Sequence, residues 1–172
     1  MMEIVVRKIH LVDLSQLQKI GISTFSETFA EHNTKEDLEK YLKESFASEK
    51  LSAELANPNA SFYFAVLNEE VIGYLKINFG NAQTELKDNK SVEIERIYVL
   101  QAYQGKKIGQ LLYNKAIEIA REYKASYVWL GVWEENHKAL QFYKKNGFVP
   151  FDTHIFKLGN DEQTDIMMKK AL

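Results

Sequence analysis

The stretch "YQGKKIGQLL", residues 103–112, sets two glycines and two lysines at the start of a run with helical spacing. The first amides of a helix have no internal acceptor, and the helix dipole adds positive potential where they point. Lys106 and Lys107 add charge there, and Gly105 and Gly109 let an anion approach the backbone, so the turn suits a phosphate and best a diphosphate. It matches neither the dinucleotide fingerprint nor the Walker A loop, and a plain helix start with solvated lysines would use the same residues. Just upstream, "SVEIERIYV" places Glu93 and Glu95 on one strand face by two-residue alternation. A carboxylate there can take the proton of an amine through water; an exposed strand face is the other reading. Further on, Asn136 and Tyr143 stand seven residues apart and share a helix face. A tyrosine hydroxyl can hand a proton to a leaving group and an asparagine can cap the helix, although Tyr143 also reads as a core aromatic beside Phe142.

These side chains need elements to hold them. "EIVVRKI" reads as a strand, after which Asp13 can cap a helix bearing Leu14, Leu17, Ile20 and Phe25 at helical spacing. Thr34 with Asp37 makes a capping-box-like start for a second helix through "DLEKYLKESF", and "SEKLSAELANP" adds further turns up to Pro58. "SFYFAVL" and "VIGYLKINF", separated by "NEE", predict a hairpin, and "GNAQTELKDNK" predicts a mobile loop. From residue 91 the order is strand, helix 107–124, strand "SYVWLGV", helix 136–146, strand "FVPFDTHIFKL" and a last strand near "DIMMKKA". In the helix after the turn, Ile108, Leu111, Leu112, Ile119, Ala120 and Tyr123 form the face expected to pack on the sheet. Trp129 and Trp133 share parity in "WLGVW"; Trp129 is expected in the core, and Trp133, beside Glu134 and Glu135, on a site wall.

With 45% hydrophobic residues, 12% aromatic residues and no internal repeat, residues 1–172 are expected to form a single α/β domain. The 24 acidic residues nearly balance 22 Lys plus Arg, and the basic residues are dispersed, so no nucleic-acid partner is expected. The chain has no cysteine, which removes disulfides and thiol nucleophiles, and His10, His32, His137 and His154 lack metal-ligand spacing, so no metal is expected. "MMEIVVRKIH" lacks the apolar core of a signal peptide and the apolar runs are too short for a bilayer, so a cytoplasmic protein without a membrane partner is expected. Composition leaves the oligomeric state open.

The pattern "V-x-x-x-x-Q-G-K-K-I-G-Q-L-L", followed by "WLGVWEEN-x-x-A-x-x-F-Y-K-K-N-G-F", resembles the acetyl-CoA-binding core of the Gcn5-related N-acetyltransferases, over residues 97–148. The resemblance implies a mixed, mostly antiparallel central sheet flanked by helices, with acetyl-CoA as cosubstrate. It implies that the amides of Gln104, Gly105, Lys106, Lys107, Ile108, Gly109 and Gln110 hold the pyrophosphate, and that the main chain of Ile97, Tyr98 and Val99 bonds the pantetheine arm. Tyr143 matches the family's usual general acid and Asn136 the residue that fixes the cofactor arm; Lys145 either meets a cofactor phosphate or is solvated. Lys107 stands where the family normally has a glycine, which bears on the local geometry of the turn. Aminolysis of a thioester needs a neutral amine, and an amine with a pKa of about 10.4 is almost wholly protonated at pH 7. Glu95, just ahead of the pantetheine-contacting stretch, is expected to deprotonate or bind that amine.

"TFSETF", "VEIERIYV", "WLGVWEEN", "QFYKKNGF" and "DEQTDIMMKK" are similar to the bacterial polyamine N-acetyltransferases of the Bacillus sporulation and protease-synthesis regulator type. That resemblance implies spermidine or spermine as acceptor. Acidic residues recur at expected site edges, with Glu27, Glu31, Glu93 and Trp133 expected to line the acceptor site, although a solvated acidic face has the same composition. Acetylation of protein N-termini, lysines or aminoglycosides would use the same cofactor residues, and a non-catalytic acetyl-CoA-binding regulator would keep the turn without turnover.

Overall fold

The aromatic and β-branched runs form strands, and the runs with helical spacing cover them. The computed structural model describes residues 3–172. Met1 and Met2, the first residues of the stretch read for a leader segment, lie outside them. In chain order the elements are β1 (Ile4–Lys8), α1 (Leu14–Phe29), α2 (Lys35–Ser45), α3 (Ser48–Ala56), β2 (Ala60–Leu67), β3 (Glu70–Phe79), β4 (Ser91–Val99), α4 (Ile108–Glu122), β5 (Tyr127–Trp133), α5 (His137–Lys145), β6 (Val149–Leu158) and β7 (Asp161–Ala171). The strands form a seven-stranded sheet in the order β1-β2-β3-β4-β5-β7-β6. Neighbours run antiparallel except β4 and β5, which gives the expected mixed sheet with helices on both faces.

Ile108, Leu112, Ala116 and Ala120 of α4, with Leu140 and Tyr143 of α5, pack on one face against Ile77, Val92, Val128 and Leu130. Leu17, Phe25 and Phe29 of α1, Leu51 of α3, and Phe46 between α2 and α3 cover the other face, against Phe62, Phe64 and Tyr74. Among the described residues, no helix is long and apolar enough to cross a membrane.

The parallel contact between β4 and β5 is short. Ser91, Val92 and Glu93 pair with Tyr127, Val128 and Trp129, after which the strands no longer pair with each other although β4 runs to Val99 and β5 to Trp133. A wedge therefore opens toward their C-terminal ends. On its other edge β4 stays paired with β3 up to Val99, with an irregularity: Ile94 faces Ile77 and Arg96 faces Lys76, so Glu95 is an extra residue. This β-bulge inverts the side-chain parity along β4. Val92, Ile94, Ile97 and Val99 all join the α4 face, while Tyr98 joins the α1 face.

Three expectations are corrected. The buried stripe of α4 runs through Ile108, Leu112, Tyr113, Ala116, Ile117 and Ala120, whereas Leu111 and Tyr123 are 41% and 43% exposed. Tyr113 is drawn inward because Phe142 and Phe148 offer it ring edges at 5.9 and 6.0 Å. Asp13 stands at the N-cap of α1 but does not cap it, because its carboxylate holds Arg7 at 3.0 and 3.1 Å and accepts from the His10 amide at 2.9 Å. The 80–90 segment is pinned: Gln83, 1% exposed, accepts from Ser91 Oγ at 2.7 Å and Trp129 Nε1 at 2.8 Å. Thr34, by contrast, caps α2 by accepting from the Asp37 amide at 3.1 Å.

Candidate active site

A one-turn 3-10 helix at Gln101–Tyr103 leads from β4 into the loop before α4. Glu27 of α1 accepts from the Gln101 amide at 3.2 Å, and Gln104 donates from its side chain to the Val99 carbonyl at 3.1 Å. The amide of Gln104 is committed to the Gln101 carbonyl, whereas those of Gly105 to Gln110 donate to no carbonyl in the turn; the first bond of the helix is from Leu111 to Lys107. The open donors thus begin one residue later than expected. Gly105 has φ +81, and a Cβ added at Gly105 or Gly109 would meet nothing within 4 Å. That open ground before unpaired amides fits a bound phosphate. Lys107, at the position where the family normally has glycine, adopts the left-handed conformation with φ 65 and ψ 18. A side chain pays about 1–2 kcal/mol for that geometry, and the turn keeps its shape regardless.

Across the wedge, Asn136 caps α5 by accepting from the Ala139 amide at 3.3 Å. Tyr143 lies on the buried side of α5, 7% exposed, between Phe142 and Phe148. Burial pushes its hydroxyl well above the ordinary tyrosine range, so it holds its proton. Tyr98 on β4 is raised by burial and by Tyr74 and Tyr41, with Tyr143 among the groups that act on it. Tyr143 of α5 and Tyr98 of β4 are thus near enough to act on each other, with Asn136 at the start of the same helix as Tyr143. Lys145 is exposed at the end of α5, and the side chain of Gln110 is held by Asn146 at 3.0 Å.

Glu93 and Glu95 share a face, as expected, and both accept from Asn78 Nδ2, at 3.0 and 2.8 Å. Glu93, 3% exposed, is closed off by Thr84, whose Oγ1 and amide donate to it at 2.6 and 2.8 Å. It anchors the 80–90 segment and has no side open to a ligand. Glu95 pairs with Lys76 at 2.8 Å and Arg96 at 3.4 Å, and Lys76 also holds Glu54 at 2.5 Å. Burial pushes Glu95 up, but the charges of Arg96 and Lys76 outweigh it and hold the carboxyl below its ordinary range. Lys76 and Arg96 thus balance Glu54 and Glu95 in a buried quartet. Sequence reasoning missed Lys76 and Arg96, since the signal lay in the bulge: apolar parity changes between Ile94 and Ile97 within "VEIERIYV".

The remaining expected residues separate. Trp133, at the end of β5, meets Phe29 at 5.1 Å and His32 at 4.9 Å between ring centres. Beside it, Glu31, His32, Asn33, Thr34, Asp37, Asn160 and Asp161 line an open cavity of about 550 Å³. Asp37 accepts there from the Asn160 amide at 3.2 Å, and Gln163 ties Asn33 to Asp161 at 3.0 and 3.1 Å. Glu31 is therefore in this mouth, whereas Glu27 faces the turn before α4. Asp37 and Asp161 were missed because a helix start and a distant hairpin meet only in the fold.

The model of the acetyltransferase (GNAT) family matches residues 23–148. The chain belongs to this family. An uncharacterized N-acetyltransferase in the pepI 3' region of Lactobacillus delbrueckii subsp. lactis is 42% identical over 160 residues, covering 93% of this chain and 92% of that one. The spermidine N(1)-acetyltransferase of Thermoplasma acidophilum is 29% identical over 156 residues, covering 88% and 92%. The crystal structure of PaiA N-acetyltransferase from T. acidophilum, in complex with coenzyme A, superposes with a TM-score of 0.82 at 26% identity, over 99% of this chain and all of that one. The protein is thus a GNAT N-acetyltransferase that takes acetyl-CoA as its cosubstrate. In GNAT terms the wedge between β4 and β5 lies between the turn before α4 and the mouth beside Trp133.

Proposed function

We propose that the protein transfers the acetyl group of acetyl-CoA directly to a primary amine of a polyamine such as spermidine or spermine, with Tyr143 as general acid. The amides of Gly105 to Gln110, with Lys106 and Lys107, hold the pyrophosphate, and the free edge of β4 at Ile97, Tyr98 and Val99 takes the pantetheine arm. Asn136 fixes that arm from α5, and Lys145 meets a phosphate. The open space in front of Gly105 and Gly109 supports this placement. Acetyl-CoA supplies the activated acyl group; Tyr143, kept protonated by its burial, gives the departing sulfur its proton.

The acidic mouth is the observation that carries the acceptor. Glu31, Asp37 and Asp161 converge beside Trp133, and convergent carboxylates attract a polycation. Glu95 is committed to Lys76 and Arg96, so the carboxylates of the mouth supply the potential that draws the amine inward. The similarity to a spermidine N(1)-acetyltransferase supports the same class. Steady-state acetylation of spermidine by the wild type and by a Glu31→Gln, Asp37→Asn, Asp161→Asn triple variant tests the reading. The variant should raise KM for spermidine and leave KM for acetyl-CoA unchanged; equal KM values for spermidine would remove the mouth from acceptor binding.

A further inference from the structure

We infer that Asp165 is the base that takes the proton of the acceptor amine. The inference rests on the acetyl-transfer reading above but not on which amine is the acceptor. Glu93 and Trp129 are the last residues that pair β4 with β5, and Gly131 is the next residue of β5 on the same face. Gly131 is exposed although Leu130 and Val132 on either side are buried, so the strand opens to solvent on this face just where the wedge begins. Asp165 of β7 pairs with Trp133, and its carboxylate reaches back over Gly131: a Cβ on Gly131 would lie 3.6 Å from Asp165 Oδ2. The carboxylate thus overlies the exposed floor beside the opening of the wedge, on the Trp133 side.

Of the carboxylates around the wedge, Glu93 is closed by Thr84 and Asn78, and Glu95 is neutralised by Lys76 and Arg96. Asp165 is held by no hydrogen bond among the described residues. The groups that face it are His154 from β6, which is its strand partner and is itself paired with Glu85, and Tyr41 from α2. Burial raises the Asp165 carboxyl to about 6, with His154 opposing and Glu85 adding to the rise. A base with that value is mostly ionised near neutral pH yet still accepts a proton readily.

The step balances. The acceptor ammonium gives one proton to Asp165, and its nitrogen lone pair forms the C–N bond to the acetyl carbonyl carbon. The C–S bond breaks, and the departing thiolate takes the Tyr143 proton. The second nitrogen proton restores Tyr143 through solvent, and Asp165 releases its own, one proton per turnover.

The pH dependence of kcat/KM for the acceptor tests the inference, measured with whichever amine turns over, so that failure of spermidine as a substrate is read separately. The wild type should show an acidic limb near pH 6. Asp165→Asn should abolish that limb and lower kcat/KM by about 10²- to 10⁴-fold while calorimetry finds acetyl-CoA affinity unchanged. Glu85→Gln should move the wild-type limb to lower pH and His154→Gln to higher pH, a readout that survives even if Asp165→Asn fails to fold. A limb that persists in Asp165→Asn, or that neither neighbour moves, overturns the inference.

Discussion

Tyr143 joins two properties in one side chain: a place on the buried side of α5 and a hydroxyl kept protonated by that burial. In the proposed role of general acid, replacing it with Phe removes only the leaving-group proton, so kcat should fall by about 10²- to 10⁴-fold with acetyl-CoA affinity retained. Single-turnover rates and calorimetry check the two halves separately. Asp165 offers a stability test with a defined sign. Its carboxyl ionises at about 6 in the folded chain but in the ordinary carboxylate range, about 3.9, when unfolded. Holding the charge therefore costs stability fully above about pH 6, and the cost disappears below the ordinary range. Asp165→Asn should raise Tm at pH 8, and the difference from wild type should shrink as the pH falls through 6 toward 4, followed by thermal melts across that range. The placement of Asn136 at the cap of α5 and of Tyr143 within it was legible in the sequence because seven-residue spacing on one helix is local information. Asp165 was not, because its position over Gly131 depends on the register of β7 against β5, set by pairings across more than thirty residues of chain.

The turn and the bulge show the same contrast between elements. The "QGKKIG" turn was read as an anion site from its residues, and its amides are open from Gly105 onward; the surprise is Lys107, left-handed where glycine would cost nothing. Lys107→Gly should stabilise the fold by about 1 kcal/mol in chemical denaturation while weakening acetyl-CoA binding through the lost charge. Gly109→Glu, which puts bulk and negative charge in the open space, should abolish detectable acetyl-CoA binding in calorimetry. The bulge at Glu95 was not drawn from simple alternation, which would have put Arg96 among the apolar residues packed under α4. One inserted residue instead brings Arg96 to the side of Lys76, where the four charges of the quartet balance. Lys76→Met should leave Glu54 and Glu95 buried without their shared cation and cost about 3–5 kcal/mol, read from urea unfolding at pH 7.

Over the whole molecule, a turn rich in open backbone amides and lysines lies at the end of β4, and a mouth rich in carboxylates lies beside Trp133 at the end of β5. The net charge of -2 says little about this division, because the two signs are sorted in space rather than in the chain. Attraction between exposed charges is screened over about 8 Å at physiological ionic strength, so KM for a polycation should rise with salt more steeply than KM for acetyl-CoA. Carboxylate-to-amide changes at Glu31, Asp37 and Asp161 should flatten that salt slope. The order of strands and helices along the chain and the hairpin of β2 and β3 followed from the sequence pattern, but the mouth did not, since Asp37 and Asn160 meet through a hydrogen bond across more than a hundred residues of chain. The most direct test is a competition in one vessel, with limiting acetyl-CoA and equal concentrations of spermidine, an aminoglycoside, a lysine peptide and a peptide with a free N-terminus. Mass spectrometry should find the acetyl group predominantly on spermidine; acetylation of a peptide or the aminoglycoside with spermidine left unmodified would contradict the polyamine assignment.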